Sequence, residues 1–177
     1  MKSQDIIELA SKLLNIQKDV IGDEQDAGVI SLMTTALNNV ISEIAEEYIP
    51  FIKSENAKCV DGQILYDTLS ESVKEIIIVK KGSKVKFKPL HKGIKLNEDG
   101  EYEVTYSYIP KKIEFGDEID FPAGVTERTV ACGVAGEYAL MCERYEECVN
   151  YDNKFLSGIK AVKRVKRERK LPYRGWN

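Results

Sequence analysis

Apolar positions change their period twice along the chain, and those changes divide it into three stretches. In "SQDIIELASKLLNIQKD", Ile6, Ile7, Ala10, Leu13 and Leu14 recur at helical spacing, with Ser3 placed to cap the first turn. "GDEQDAG" interrupts that pattern with acids and turn formers. A longer helix is predicted next. Ile30, Met33, Leu37, Val40, Ile41, Ile44 and Tyr48 fall on one stripe, and Pro50 ends it. Two helices joined by a short polar link predict an antiparallel pair.

Beyond Pro50 the chain turns to β-branched residues. "VKEIIIVKKGSKVKFKPL" predicts a hairpin turning at "KKGSK", and "GIKLNEDGEYEVTYSYIP" a second turning at "NEDG". Tyr102, Val104, Tyr106 and Tyr108 alternate with Glu103, Thr105 and Ser107, the period-two signature of an antiparallel sheet with one face on a core. From "DFPAGVTERTV" the helical period returns. Pro122 and Thr126 can open a helix whose buried side carries Val130, Val134, Tyr138, Met141 and Tyr145. Ala131, Ala135, Gly136 and Ala139 form a second stripe, of small residues that let another backbone come close, and are candidates for packing against a neighbouring subunit. "CERYEE" predicts a bend. "CVNYDNKFLSGIKAVKRVK" predicts a last helix with Val149, Asp152/Asn153, Phe155/Leu156 and Ile159 on one side.

The expected fold class is α+β: a helical bundle made of an N-terminal helix pair plus C-terminal helices, a central small antiparallel β insert, and an extended basic C-terminal tail. The expected boundaries are 1–56 for the helical pair, 57–121 for the β insert, 122–162 for the C-terminal helices and 163–177 for the tail.

Composition narrows the functions. At 177 residues and 43% hydrophobic, the chain can bury an ordinary core. No apolar run approaches the ~20 residues of a membrane span, so no membrane partner is expected. The opening "MKSQDIIELASK" lacks the basic-then-apolar order of a secretory signal. Cys59, Cys132, Cys142 and Cys148 include no C-x-x-C spacing, which argues against zinc and for small buried side chains in a reducing compartment. His91, the one histidine, lies in "PLHKG" without an evident orienting partner. "GDEQDAG" lacks calcium-loop spacing, and "EFGDEIDF" reads as solvated loop charge. No nucleophile elbow, phosphate loop or dinucleotide fingerprint is present. No cofactor and no enzymatic activity are expected.

Charge changes the picture most. The net charge is −3, yet the final stretch "IKAVKRVKRERKLPYRGWN" carries eight Lys/Arg and one Glu, leaving 18 basic and 28 acidic residues elsewhere. Lys163, Arg164, Lys166, Arg167, Arg169, Lys170 and Arg174 gather there with Tyr173 and Trp176, the only tryptophan. Trp, Tyr and Arg are enriched at the energetic centres of interfaces, so these nine are the candidate partner-docking residues. The same lysines and arginines also suit a backbone-contacting arm on DNA.

"GEYEVTYSYIP", then "VACGVAGEYALMCERYEECVNYDNKF", then a basic run ending "PYRGW", resemble the head-to-tail connector (adaptor) proteins of tailed phages and of prophages of Gram-positive bacteria, in the group of tail tubular protein A and the gatekeeper-type adaptors. The likeness covers most of the chain, is densest from about Val73 onward, and lies in the order of elements rather than in one motif. It implies a non-enzymatic structural protein of the virion neck, assembled in the host cytoplasm. Its implied partners are copies of itself in a dodecameric ring, the portal protein above, a downstream neck or tail protein below, and genomic DNA passing through the lumen without sequence recognition. An acidic body suits such a channel, because carboxylates repel phosphates. The alternatives are a small DNA-binding protein using the basic arm, and a neck stopper or tail-completion protein.

Overall fold

A computed structural model describes residues 1–16 and 24–165. It has the expected α+β class, with four helices and two small antiparallel sheets. Helix α1 (Ser3–Leu13) buries Ile6, Ile7 and Ala10, and Leu14 just beyond it is buried as well. Its N-cap is Lys2 rather than Ser3, because the Ser3 side chain is engaged elsewhere. The Ser3 hydroxyl donates to the Glu114 carbonyl (3.0 Å) and accepts from the Gly116 N–H (2.8 Å). Helix α2 (Glu24–Glu43) takes in Glu24–Gly28, five of the seven residues expected to be a break, and runs on through a π-helical turn at Ile44–Tyr48. Acids in a first helical turn suit the helix dipole as well as they suit a loop.

The strands are β1 (Phe51–Cys59), β2 (Gln63–Leu65), β3 (Ser72–Lys81), β4 (Ser83–Lys84), β5 (Lys88–Leu90), β6 (Gly93–Lys95) and β7 (Gly100–Ile109). One sheet has the order β1-β7-β3-β4 and the other β2-β6-β5. The turn in "KKGSK" is real, with Gly82 at φ 74°, but β4 beyond it is only two residues long. "NEDG" is not a hairpin turn. It carries the chain from β6 in the small sheet to β7, the centre of the large one. Strand β1 starts directly after Pro50, so it crosses the boundary expected at 56/57. Its register with β7 runs from Phe51↔Tyr108 to Cys59↔Gly100.

Helix α3 (Glu127–Met141) opens where expected, with the Thr126 hydroxyl accepting from the Thr129 N–H (3.2 Å). Helix α4 (Tyr145–Val165) follows a reversal through Glu143 at φ 59°. That reversal ends the apolar stripe early. Met141, Tyr145 and Val149, expected on buried faces, are exposed, whereas Phe155, Ile159 and Val162 are buried. Helices α1 and α2 each pack more extensively on α3 than on one another, so the expected N-terminal pair is joined through a third helix.

Two apolar cores result. One lies among the helices and one under the large sheet, and Tyr108 packs against both. Phe51 and Tyr108 (5.9 Å between ring centroids) and Phe51 and Phe121 (5.9 Å) fill the junction. Polar ties reinforce it. The Lys74 ammonium on β3 donates to the carbonyls of Ala45 (3.2 Å) and Glu46 (2.6 Å), capping the turn after α2. The Asn38 amide on α2 donates to the Ile113 carbonyl (3.1 Å) and its oxygen accepts from the Ile113 N–H (2.9 Å).

Candidate interaction surfaces

Ala131, Ala135, Gly136 and Ala139 do not face a neighbour. All four are buried inside the subunit, because α3 is surrounded by the other three helices of its own chain. A Cβ on Gly136 would lie 3.4 Å from the Asp152 amide and 3.6 Å from the Cys148 carbonyl, both on α4. The expectation that this stripe admits a second subunit is therefore corrected: the chain's own helices enclose it, with α4 against Gly136. A closer approach occurs at Gly133, where a Cβ would stand 3.0 Å from both Phe155 on α4 and Val40 on α2.

The helical unit instead exposes apolar side chains at the α3–α4 corner. Leu140 and Met141 end α3, and Tyr145 and Val149, one turn apart on α4, are 62% and 61% exposed.

Of the nine tail candidates, Lys163 is exposed at the end of α4, its ammonium 4.9 Å from the centre of the Tyr48 ring. Arg164 continues the helix. Lys166, Arg167, Arg169, Lys170, Tyr173, Arg174 and Trp176 lie outside the described residues. The surface around Tyr48 is acidic. Burial raises the Glu43 carboxyl above its usual range, and the nearby Asp152, Glu137 and Glu47 add to the rise. Burial and then the Glu43 carboxylate push the Tyr48 hydroxyl up to about 12. Among the described residues, none of these four carboxylates forms an ion pair.

A second basic surface lies in the β unit, and sequence reasoning passed over it. "KKGSKVKFKPLHKGIK", residues 80–95, holds seven lysines and no carboxylate. Read for strand content alone, the run hid its charge; a sliding count of charge would have found it. Lys80 pairs with Glu103 (3.3 Å) and Lys81 with Glu98 (3.4 Å). Lys84, Lys86, Lys88, Lys92 and Lys95 are exposed, and among the described residues they make no ion pair.

Asp117, Glu71, Cys59 and Cys132 are tied into the fold, whereas His91 and Cys142 are exposed. Asp117 in "EFGDEIDF" accepts from the Glu114 N–H (2.7 Å) and its carbonyl accepts from the Ser3 N–H (2.9 Å), making a strap for α1. Glu71 lies between Lys53 (3.3 Å) and Lys111 (3.6 Å) in a groove also lined by Phe51 and Tyr108. His91 is exposed in the turn between β5 and β6. Cys59 and Cys132 are buried, and burial pushes both thiols up, away from thiolate chemistry. Cys142 is exposed, unlike the buried role expected for it. Among the described residues, no three His, Cys, Asp or Glu side chains are placed to hold a metal, and no helix is long and apolar enough to cross a membrane. No family model matches the chain, and no curated protein matches it in sequence.

Proposed function

We propose that this protein is a head-to-tail connector of a tailed phage, a ring-forming adaptor that joins the portal to the tail and encloses the path of the genome. The observation that supports this reading is the element order. Two helices, a β unit and two more helices lead into a basic, aromatic C-terminus, the order in which the connector-like stretches of the sequence occur. With the small-residue stripe closed off, the lateral contact falls to the α3–α4 corner, where exposed Leu140, Met141, Tyr145 and Val149 present apolar side chains. The four carboxylates around Tyr48 offer a seat for the basic C-terminus of an adjacent copy, and repetition around a ring multiplies each weak contact.

The test is assembly with the portal, read by sedimentation and negative-stain imaging. Wild-type protein is expected to add a ring to the portal. Replacing Tyr173 and Trp176 with Ala is expected to weaken docking by at least tenfold, and more than replacing Lys166 and Lys170 with Ser, as apolar anchors dominate such interfaces. Failure of the wild type to join a portal, with no change from either variant, would sink the proposal.

A further inference from the structure

The lysine-rich run of the β unit lies at its far end. Strands β1 and β7 leave the helical core at Phe51↔Tyr108 and reach Cys59↔Gly100 eight residues later, about 27 Å away at the usual rise per residue. There Lys80 and Lys81 end β3, and β4, β5 and β6 carry Lys84, Lys88 and Lys95. Between them Lys86 is exposed, whereas Val85 and Phe87 turn partly inward against the β core. Lys84, Lys86 and Lys88 are thus exposed in alternation with partly buried residues, and Lys95 stands opposite Lys88.

Two of the cross-strand partnerships are between like charges. Lys80 stands opposite Lys84 across β3–β4, and Lys88 opposite Lys95 across β5–β6. Like charges directly opposite one another destabilise a sheet. Glu103 relieves the first pair. Among the described residues no carboxylate pairs with the second. Lysines on edge strands do guard against stray strand pairing, and β4 and β5 are edges. Strand β6 is not an edge, yet it places Lys95 against Lys88. Edge protection does not call for that arrangement, whereas a bound polyanion would relieve it.

The chemistry of the face selects the polyanion. Residues 80–95 contain no Arg, Trp or Tyr. Protein interfaces are depleted in lysine and anchored by those three residues, whereas phosphate backbones are bound by lysine as a mobile point charge. Residues 80–95 also contain no Asn or Gln, which with Arg are the planar groups that read base edges bidentately. We propose that this lysine face binds the phosphate backbone of duplex DNA without sequence recognition, at a site separate from the C-terminal run. The rest of the chain, with 11 Lys/Arg against 28 Asp/Glu once both basic stretches are set aside, repels phosphate and so directs the duplex to the tip. The inference stands whether or not the protein is a connector, since it concerns the free chain.

The experiment uses the full chain, a labelled duplex of arbitrary sequence, and anisotropy titrations between about 50 and 200 mM salt. Replacing Lys84, Lys86, Lys88 and Lys95 with Ser is expected to make the slope of log K against log salt shallower by about 3 to 4, at roughly 0.9 per lost phosphate contact. Replacing Lys166, Arg167, Arg169 and Lys170 with Ser is expected to leave the contribution of the face in place. Circular dichroism monitors folding. Should the fourfold variant unfold, Lys88→Gln and Lys95→Gln singly should each reduce the slope by about 0.9 while leaving the melting temperature at low salt unchanged or raised. The proposal is overturned if the wild type does not bind, or if the face variants keep the wild-type slope. It is equally overturned if their only effect is on association of the chain with itself or with an acidic protein.

Discussion

A glycine inside a helix costs about 1 kcal/mol relative to alanine unless a neighbour needs the space. Gly136 on α3 and Gly158 on α4 separate on that criterion. A Cβ at Gly136 would meet α4 at ordinary contact distance, 3.4 Å or more. At Gly158 it would come within 2.6 Å of both Cγ2 and Oγ1 of Thr129. That side chain cannot swing away freely, because it is β-branched and its hydroxyl is 2.9 Å from that of the capping residue Thr126. Gly136→Ala is therefore expected to leave stability unchanged or raise it by up to about 1 kcal/mol. Gly158→Ala should lower it by about 1–3 kcal/mol through overpacking. Urea midpoints of the two variants distinguish these outcomes, and equal gains would show that α3 and α4 are not in this close contact.

At the scale of elements, burial raises one carboxylate while hydrogen bonding lowers another. Glu55 on β1 accepts from the Ser70 hydroxyl (2.6 Å), the Ser70 N–H (2.8 Å) and the Tyr106 hydroxyl (2.8 Å), stapling β1 to β7 and to the loop before β3. Burial alone would raise its pKa, but these bonds outweigh burial and hold it low. A lowered value means that the ionised form stabilises the fold above the ordinary carboxylate range and that this contribution fades as pH falls through the lowered value. Glu55→Gln should then cost about 1 kcal/mol at neutral pH, discounted for its partial exposure, and much less in strong acid. Glu43 has the reverse sign. Its raised pKa penalises folding as pH rises past the ordinary carboxylate range, so Glu43→Gln should raise the melting temperature at pH 7 and lose that advantage below about pH 4. Denaturation at both pH values checks the pair. The same scale shows what the sequence could reveal. Helices α2 and α3 were legible because Met33, Leu37 and Val40, and Val130, Val134 and Tyr138, repeat at helical spacing. Pairing was not legible. Strand β7 bonds to β1 and β3, both distant in sequence, and not to its neighbour β6, and no local pattern encodes that choice. Nor could periodicity tell that the small face of α3 is covered by the chain's own helices, since a helix with one free face and a helix surrounded on all sides can share the same small residues.

At the scale of the whole molecule, the helical and β cores meet through a few aromatic rings. Tyr108 packs against both cores, stands opposite Phe51 in the β1–β7 register, and lies 6.4 Å from Tyr106 between ring centroids. A joint this narrow predicts that cooperativity depends on it more than on any residue inside either core. Truncating Tyr108 removes ring contacts from both sides at once, whereas truncating Val79 empties space only under the sheet. Tyr108→Ala is expected to cost about 2–4 kcal/mol and also to separate the two transitions. The calorimetric enthalpy should then exceed the van't Hoff value, which it matches in a two-state protein. Amide exchange should show the same separation, with α3 still protected while β5 and β6 exchange early. Val79→Ala should lower the melting temperature without splitting it. If Tyr108→Ala melts as a single transition with uniform loss of protection, the two cores are held together by the Lys74 cap and the Asn38–Ile113 clasp, and the aromatic joint is dispensable to cooperativity.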